Sequence, residues 1–121
     1  MNNKNLFFLL LIISLIWSCQ KCPTVDQLQG SWIEIKDEPD KSKLIFEGTD
    51  RLYFFHSTSI DTLTYSLDKK HNTLFLTLTN HPNIQTSSCN IVYHKRKKIL
   101  TITGLLPQVN GHVTTTNYER N

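Results

Sequence analysis

The stretch Thr62-Leu63-Thr64-Tyr65-Ser66-Leu67, followed after residues 68–72 by Thr73-Leu74-Phe75-Leu76-Thr77-Leu78-Thr79, alternates apolar and polar side chains with a period of two except at Phe75. Leu63, Tyr65 and Leu67 share one face of the first run, and Leu74, Leu76 and Leu78 share one face of the second. Successive side chains of a strand point to opposite faces, so each run describes a strand with one buried and one mostly solvated side. The connection between them is short, which makes the two strands neighbours in space as well as in sequence.

Outward from this pair the same composition recurs. Residues 31–36, 42–47, 51–56, 89–93, 99–103 and 112–118 are rich in Thr, Ile, Leu, Phe and Tyr, and with the first two runs they make eight short strands. Beyond Gly30 no segment has the apolar spacing of a long helix. Before it, residues 24–29 offer one helical turn, with Thr24 as its cap and Val25 and Leu28 on one side. Eight antiparallel strands joined in succession leave two unpaired edges as an open sheet, and closing the sheet removes both. The expected fold is therefore all-β, an eight-stranded antiparallel up-and-down barrel over residues 30–121. A two-sheet sandwich is the alternative, but it usually needs long crossing connections that this chain lacks.

The N-terminus reads differently. Lys4 precedes an apolar run from Leu6 to Trp17, which is too short to span a bilayer and has the form of a secretory signal. Ile16-Trp17-Ser18-Cys19 resembles the lipobox of bacterial lipoproteins. That resemblance implies cleavage after residues 1–18, a lipid on the Cys19 sulfur, and residues 19–29 as an anchored tether ending in the helical turn. Acyl chains, at about 0.8 kcal/mol per buried methylene, would hold the protein to a membrane without spanning it. By the same resemblance the location is the bacterial cell envelope, with the outer membrane and a periplasm-facing domain as the default.

Removing 18 of 121 residues leaves 103, enough for one small domain. Lys4 is the only basic residue lost, so 12 basic and 10 acidic residues remain, a balance too weak for a nucleic-acid partner. In an oxidising compartment Cys22 and Cys89 could pair, closing a long loop and stabilising the fold by about 4 kcal/mol. Two unpaired thiols are the alternative, because Cys22 belongs near the tether and Cys89 begins a strand descending from the opposite end. His56, His71, His81, His94 and His112 have no short ligand spacing, so neither a metal nor another cofactor is expected.

Leu28-Gln29-Gly30-Ser31-Trp32 resembles the G-x-W signature that opens the first strand of lipocalins and their relatives. The resemblance implies that Trp32 packs across the closed end of the barrel beneath Arg120 of the last strand. Strict alternation, however, groups Trp32 with Glu34 and Lys36 and leaves Ile33 and Ile35 opposite. Either a bulge changes the register after Trp32, or Trp32 points outward.

In an up-and-down meander alternate connections lie at opposite ends. Residues 48–50, 68–72 and 95–98 make tight turns at the tether end, whereas residues 37–41, 57–61, 80–88 and 104–111 gather at the other, matching the open mouth of lipocalins. Loops on a rigid scaffold commonly carry binding function. His81, Pro82, Ile84, Leu105, Leu106 and Val109 are thus the candidate mouth contacts, with Phe54, Tyr65, Phe75 and Tyr93 as candidate lining. Lys95, Arg96, Lys97 and Lys98 would face the membrane, where each basic residue contributes up to about 1 kcal/mol before screening.

Nucleophile-elbow, zinc-protease and phosphate-loop motifs are all missing, so an enzyme is not expected. Two functions remain open: a membrane-anchored carrier of a small apolar or amphipathic ligand, or a solid barrel acting as a protein-interaction module of the envelope, an assembly factor or inhibitor.

Overall fold

Each alternating run forms a strand in the computed structural model, which describes residues 3–5, 20–79, 87–106 and 109–121. Cys19 and the rest of the apolar N-terminal run lie outside the described residues. A two-residue strand β1 (Gln20–Lys21) and a helical turn α1 (Val25–Leu28) precede β2 (Gly30–Glu34), β3 (Lys43–Glu47), β4 (Arg51–His56) and β5 (Ser59–Asp68). There follow β6 (Thr73–Leu78), β7 (Ser87–His94), β8 (Ile99–Thr103) and β9 (Thr115–Arg120). Strands β2 to β9 pair antiparallel in sequence order, and β9 returns to β2 with Trp32 opposite Arg120. The result is a closed eight-stranded antiparallel barrel, as the alternation predicts, and the sandwich is set aside. Strand β1 was not expected; it pairs with the lower end of β7, Gln20 opposite His94 and Lys21 opposite Tyr93.

The starts of two strands depart furthest from the sequence reading. Strand β5 begins at Ser59, so only Ser57 and Thr58 turn the β4–β5 hairpin, because His56 and Ser59 already pair. Strand β9 begins at Thr115 rather than near residue 112, since His112 pairs back onto Val109. Asn110 and Gly111 lie between them with φ of 53° and 78°, the mirror-image turn that Asn-Gly favours in two-residue hairpins.

The interior is a single apolar core of Trp32, Leu44, Phe46, Leu52, Leu74, Ile91, Leu100, Ile102 and their neighbours. Both alternatives for β2 fail, because Trp32 is buried while the alternation continues unbroken and turns Glu34 inward as well. The carboxylate is tolerated since its Oε2 accepts from the Ser42 amide at 2.8 Å and the Ser42 hydroxyl at 2.9 Å. Ser42 Oγ also lies 2.9 Å from the Tyr118 hydroxyl, so a small hydrogen-bonded cluster replaces the water these groups lose. Ile33 and Ile35 take the outer face, and Ile35 remains 42% exposed.

One end is sealed. Turn α1 opens with a capping box, in which Thr24 Oγ1 accepts from the Gln27 amide at 3.2 Å and Gln27 Oε1 from the Thr24 amide at 3.0 Å. It presents fully buried Leu28 to the core, and Trp32 Nε1 donates to the Leu28 carbonyl at 2.8 Å. Arg120 stacks on the indole, its guanidinium carbon 4.1 Å from the ring centre, and donates to the carbonyls of Gln27 and Gln29. The pair expected to close the barrel is thus in place. Gly30 is required beneath it: φ is 102°, and a Cβ there would sit 3.2 Å from Arg120 Nη1. Gln29 ties the same end to the β3–β4 turn, donating from Nε2 to the Gly48 carbonyl at 2.7 Å.

Cys22 and Cys89 are free thiols, so the disulfide is not formed; burial pushes both thiols up from their ordinary pKa. Cys22 is half-buried at the sealed end, while Cys89 is packed into the core from β7. In the β7–β8 turn Lys98 has φ of 54°, a left-handed conformation that costs a side chain free energy. Lys98→Gly is expected to raise stability by about 0.5–1 kcal/mol, read as a higher urea midpoint at unchanged slope.

Candidate functional site

Among the described residues, the opposite end of the barrel is lined but not filled by side chains. Cross-strand pairing of Leu52 with Leu63 and of Phe54 with Asp61 sets all four side chains on the inner face of the β4–β5 hairpin, and His56 follows Phe54 on that face. Leu76 and Leu78 of β6 and Ser87 of β7 continue the wall. Gly104, Leu105 and Leu106 cross above it, held by the Gly104 amide donating to the Thr114 carbonyl at 2.9 Å and Thr114 Oγ1 donating to the Leu106 carbonyl at 3.2 Å. Together these residues line an open cavity of about 460 Å³ at the mouth, within the usual volume range for small-molecule sites.

Among the described residues its wall is apolar except for Ser87 and for one corner formed by His56 and Asp61. His56 Nε2 lies 2.6 Å from Asp61 Oδ2 and 3.3 Å from Ser59 Oγ. The imidazole stacks on Phe54 with centroids 4.5 Å apart and planes 23° from parallel. This locks the ring against the wall and leaves Asp61, 40% exposed at its side chain, at the edge of the cavity. Asp61 and Ser59 approach the same ring nitrogen, whereas a nucleophilic triad needs them on opposite nitrogens. Among the described residues no three His, Cys, Asp or Glu side chains converge as metal ligands.

Of the residues singled out from the sequence, Phe54, Leu105 and Leu106 meet at this cavity. Tyr65 and Tyr93, expected as lining, belong to the sealed end. Tyr65 packs edge-on against Phe46 at 5.1 Å and donates to the Gly48 carbonyl at 2.9 Å, while Tyr93 packs edge-on against Trp32 at 6.1 Å. Phe75, also expected as lining, is on the outer wall and 37% exposed, because alternation sends it opposite Leu74 and Leu76. Val109 is 60% exposed at the Asn110-Gly111 tip, away from the cavity. His81, Pro82 and Ile84 lie outside the described residues. Lys95, Arg96, Lys97 and Lys98 form an exposed turn at the sealed end.

His56 and Asp61 were not anticipated as site residues. A signal for His56 was legible, since it shares the apolar face of Leu52 and Phe54. Asp61 shares the alternation of Leu63 and Tyr65 but lay in an expected loop, which hid it.

The fold and this cavity define a closed antiparallel β-barrel, sealed at one end by a tryptophan-arginine stack and carrying an apolar pocket with one acidic corner at the other. Comparison with protein-family models, curated proteins and solved structures finds no match for the chain, so the architecture alone carries this class.

Proposed function

We propose that the protein is a lipid-anchored, lipocalin-like envelope protein that carries a small apolar or amphipathic ligand in the mouth of its barrel. The observation that carries this reading is the cavity of about 460 Å³ lined by Phe54, Leu63, Leu76, Leu78, Leu105 and Leu106. A solid barrel would have closed it with side chains, as the opposite end does. The test is fluorescence titration with the neutral apolar probe N-phenyl-1-naphthylamine. The protein is expected to bind it saturably, and Leu78→Trp, which fills the rim, to weaken binding at least about tenfold with an unchanged far-UV circular dichroism spectrum. Absence of saturable binding overturns the carrier reading.

The lipobox resemblance at Cys19 supports the anchor, and the sealed end supports its orientation. Gln20 pairs with His94, immediately before the basic turn, so the tether leaves the barrel beside Lys95, Arg96, Lys97 and Lys98. Anionic headgroups would draw that turn to the bilayer and leave the mouth facing away. Replacing all four with glutamine is expected to weaken binding of the non-acylated protein to phosphatidylglycerol vesicles by at least about tenfold at low salt. Unchanged vesicle binding would remove the orientation from the proposal.

A further inference from the structure

We infer that the mouth pocket selects amphiphiles with a cationic or strongly hydrogen-bond-donating head, an alkyl amine being the simplest, over those with a carboxylate head. The inference rests on the carrier reading and adds the chemistry of the ligand's head. Among the described residues that line the cavity, Asp61 and His56 are the only ones able to carry charge. Their pair, with Nε2 and Oδ2 2.6 Å apart, is neutral when the imidazole is protonated and carries one negative charge when it is not. In neither state does the pair offer net positive charge to a fatty acid. A ligand carboxylate would meet like charge at the apolar rim, where separation from bulk water strengthens repulsion.

The same corner accepts a donor. A carboxylate has about four acceptor sites, and the contact to His56 uses one of them. Asp61 sits at the cavity edge with 40% of its side chain exposed, so an ammonium can reach it while keeping part of its hydration. Below it, Leu63, Leu76 and Leu78 accept a chain. The stack of His56 on Phe54, at 4.5 Å, holds the acceptor in place before the ligand arrives, which lowers the ordering cost of binding. Lys43 of the neighbouring strand β3 is turned away from this corner and lies over Phe55 on the outer wall, 5.9 Å from that ring.

Displacement of bound N-phenyl-1-naphthylamine by decylamine, decanol and decanoate tests the selection on one chain length. With the purified protein, decylamine is expected to displace the probe at about one tenth the concentration of decanoate, with decanol between them. Asp61→Asn is expected to bring decylamine down to the level of decanol. His56→Gln, which leaves the carboxylate, is expected to keep decylamine first, so a general disturbance of the rim is distinguished from loss of the charge. Decanoate equal to or ahead of decylamine, or an undiminished preference for the amine in Asp61→Asn, overturns the inference while decanol displacement leaves the carrier reading standing. Failure of both the probe and decanol to bind overturns the carrier reading itself.

Discussion

Trp32→Ala is expected to destabilise the barrel by about 3–5 kcal/mol, the usual loss for truncating a buried aromatic to alanine. Trp32 is fully buried, its ring is roofed by Arg120 at 4.1 Å, its Nε1 holds the Leu28 carbonyl at 2.8 Å, and Tyr93 packs against its edge. Its removal empties the sealed end and unties α1 together. A domain this small is stabilised by roughly 5–15 kcal/mol in total, so the variant should sit near the edge of folding. Urea unfolding followed by far-UV circular dichroism measures the loss, since the substitution also removes the barrel's tryptophan. Arg120→Ala should cost about 1–2 kcal/mol, through lost stacking and two lost carbonyl partners. The double variant should lose less than the two singles added, because both act on one contact. A Trp32→Ala loss below about 1 kcal/mol would show that the sealed end does not depend on this residue.

The second large effect is alkaline. Tyr118 is buried between Ser42, Glu34 and Cys89; burial, first of all, pushes its hydroxyl from the ordinary value of 10 up to about 12, against the Ser42 hydrogen bond, which favours the anion. The folded state therefore holds this proton more tightly than the unfolded chain does. Stability from this residue is complete below pH 10 and is lost as pH rises towards 12, by about 2–3 kcal/mol. Tyr65, Cys22 and Cys89 are shifted in the same direction by burial and add to the slope. Tyr118→Phe isolates the share of Tyr118. It should cost about 1 kcal/mol at pH 7, where Ser42 keeps Glu34 as a partner, and flatten the fall in stability above pH 10. Parallel stability curves for the two proteins through pH 12 would show that Tyr118 ionises in the folded barrel as freely as in the unfolded chain.

The locations of the strands were legible because alternation is local. Leu63, Tyr65 and Leu67, and Leu74, Leu76 and Leu78, face inward as their spacing requires, and each expected strand overlaps an observed one. Phe75 shows that the pattern was more reliable than residue type: an aromatic invited a lining role, yet its position sent it outside. The mouth was harder to read. The residues that shape the cavity come from β4, β5, β6, β7 and the 104–106 segment, and nothing in the chain places His56 beside Asp61 unless the two-residue turn at Ser57 and Thr58 is recognised.

By itself the sequence determined an all-β chain of eight short strands in meander order and a basic turn over residues 95–98, because each depends on spacing along the chain. Only the tertiary structure decided that Glu34 turns inward onto Ser42, that Cys22 and Cys89 stay unpaired, and that, among the described residues, one end is packed while the other lines a cavity. Those outcomes depend on how the volumes and hydrogen-bonding groups of several strands meet across the barrel, which spacing along any one strand does not specify.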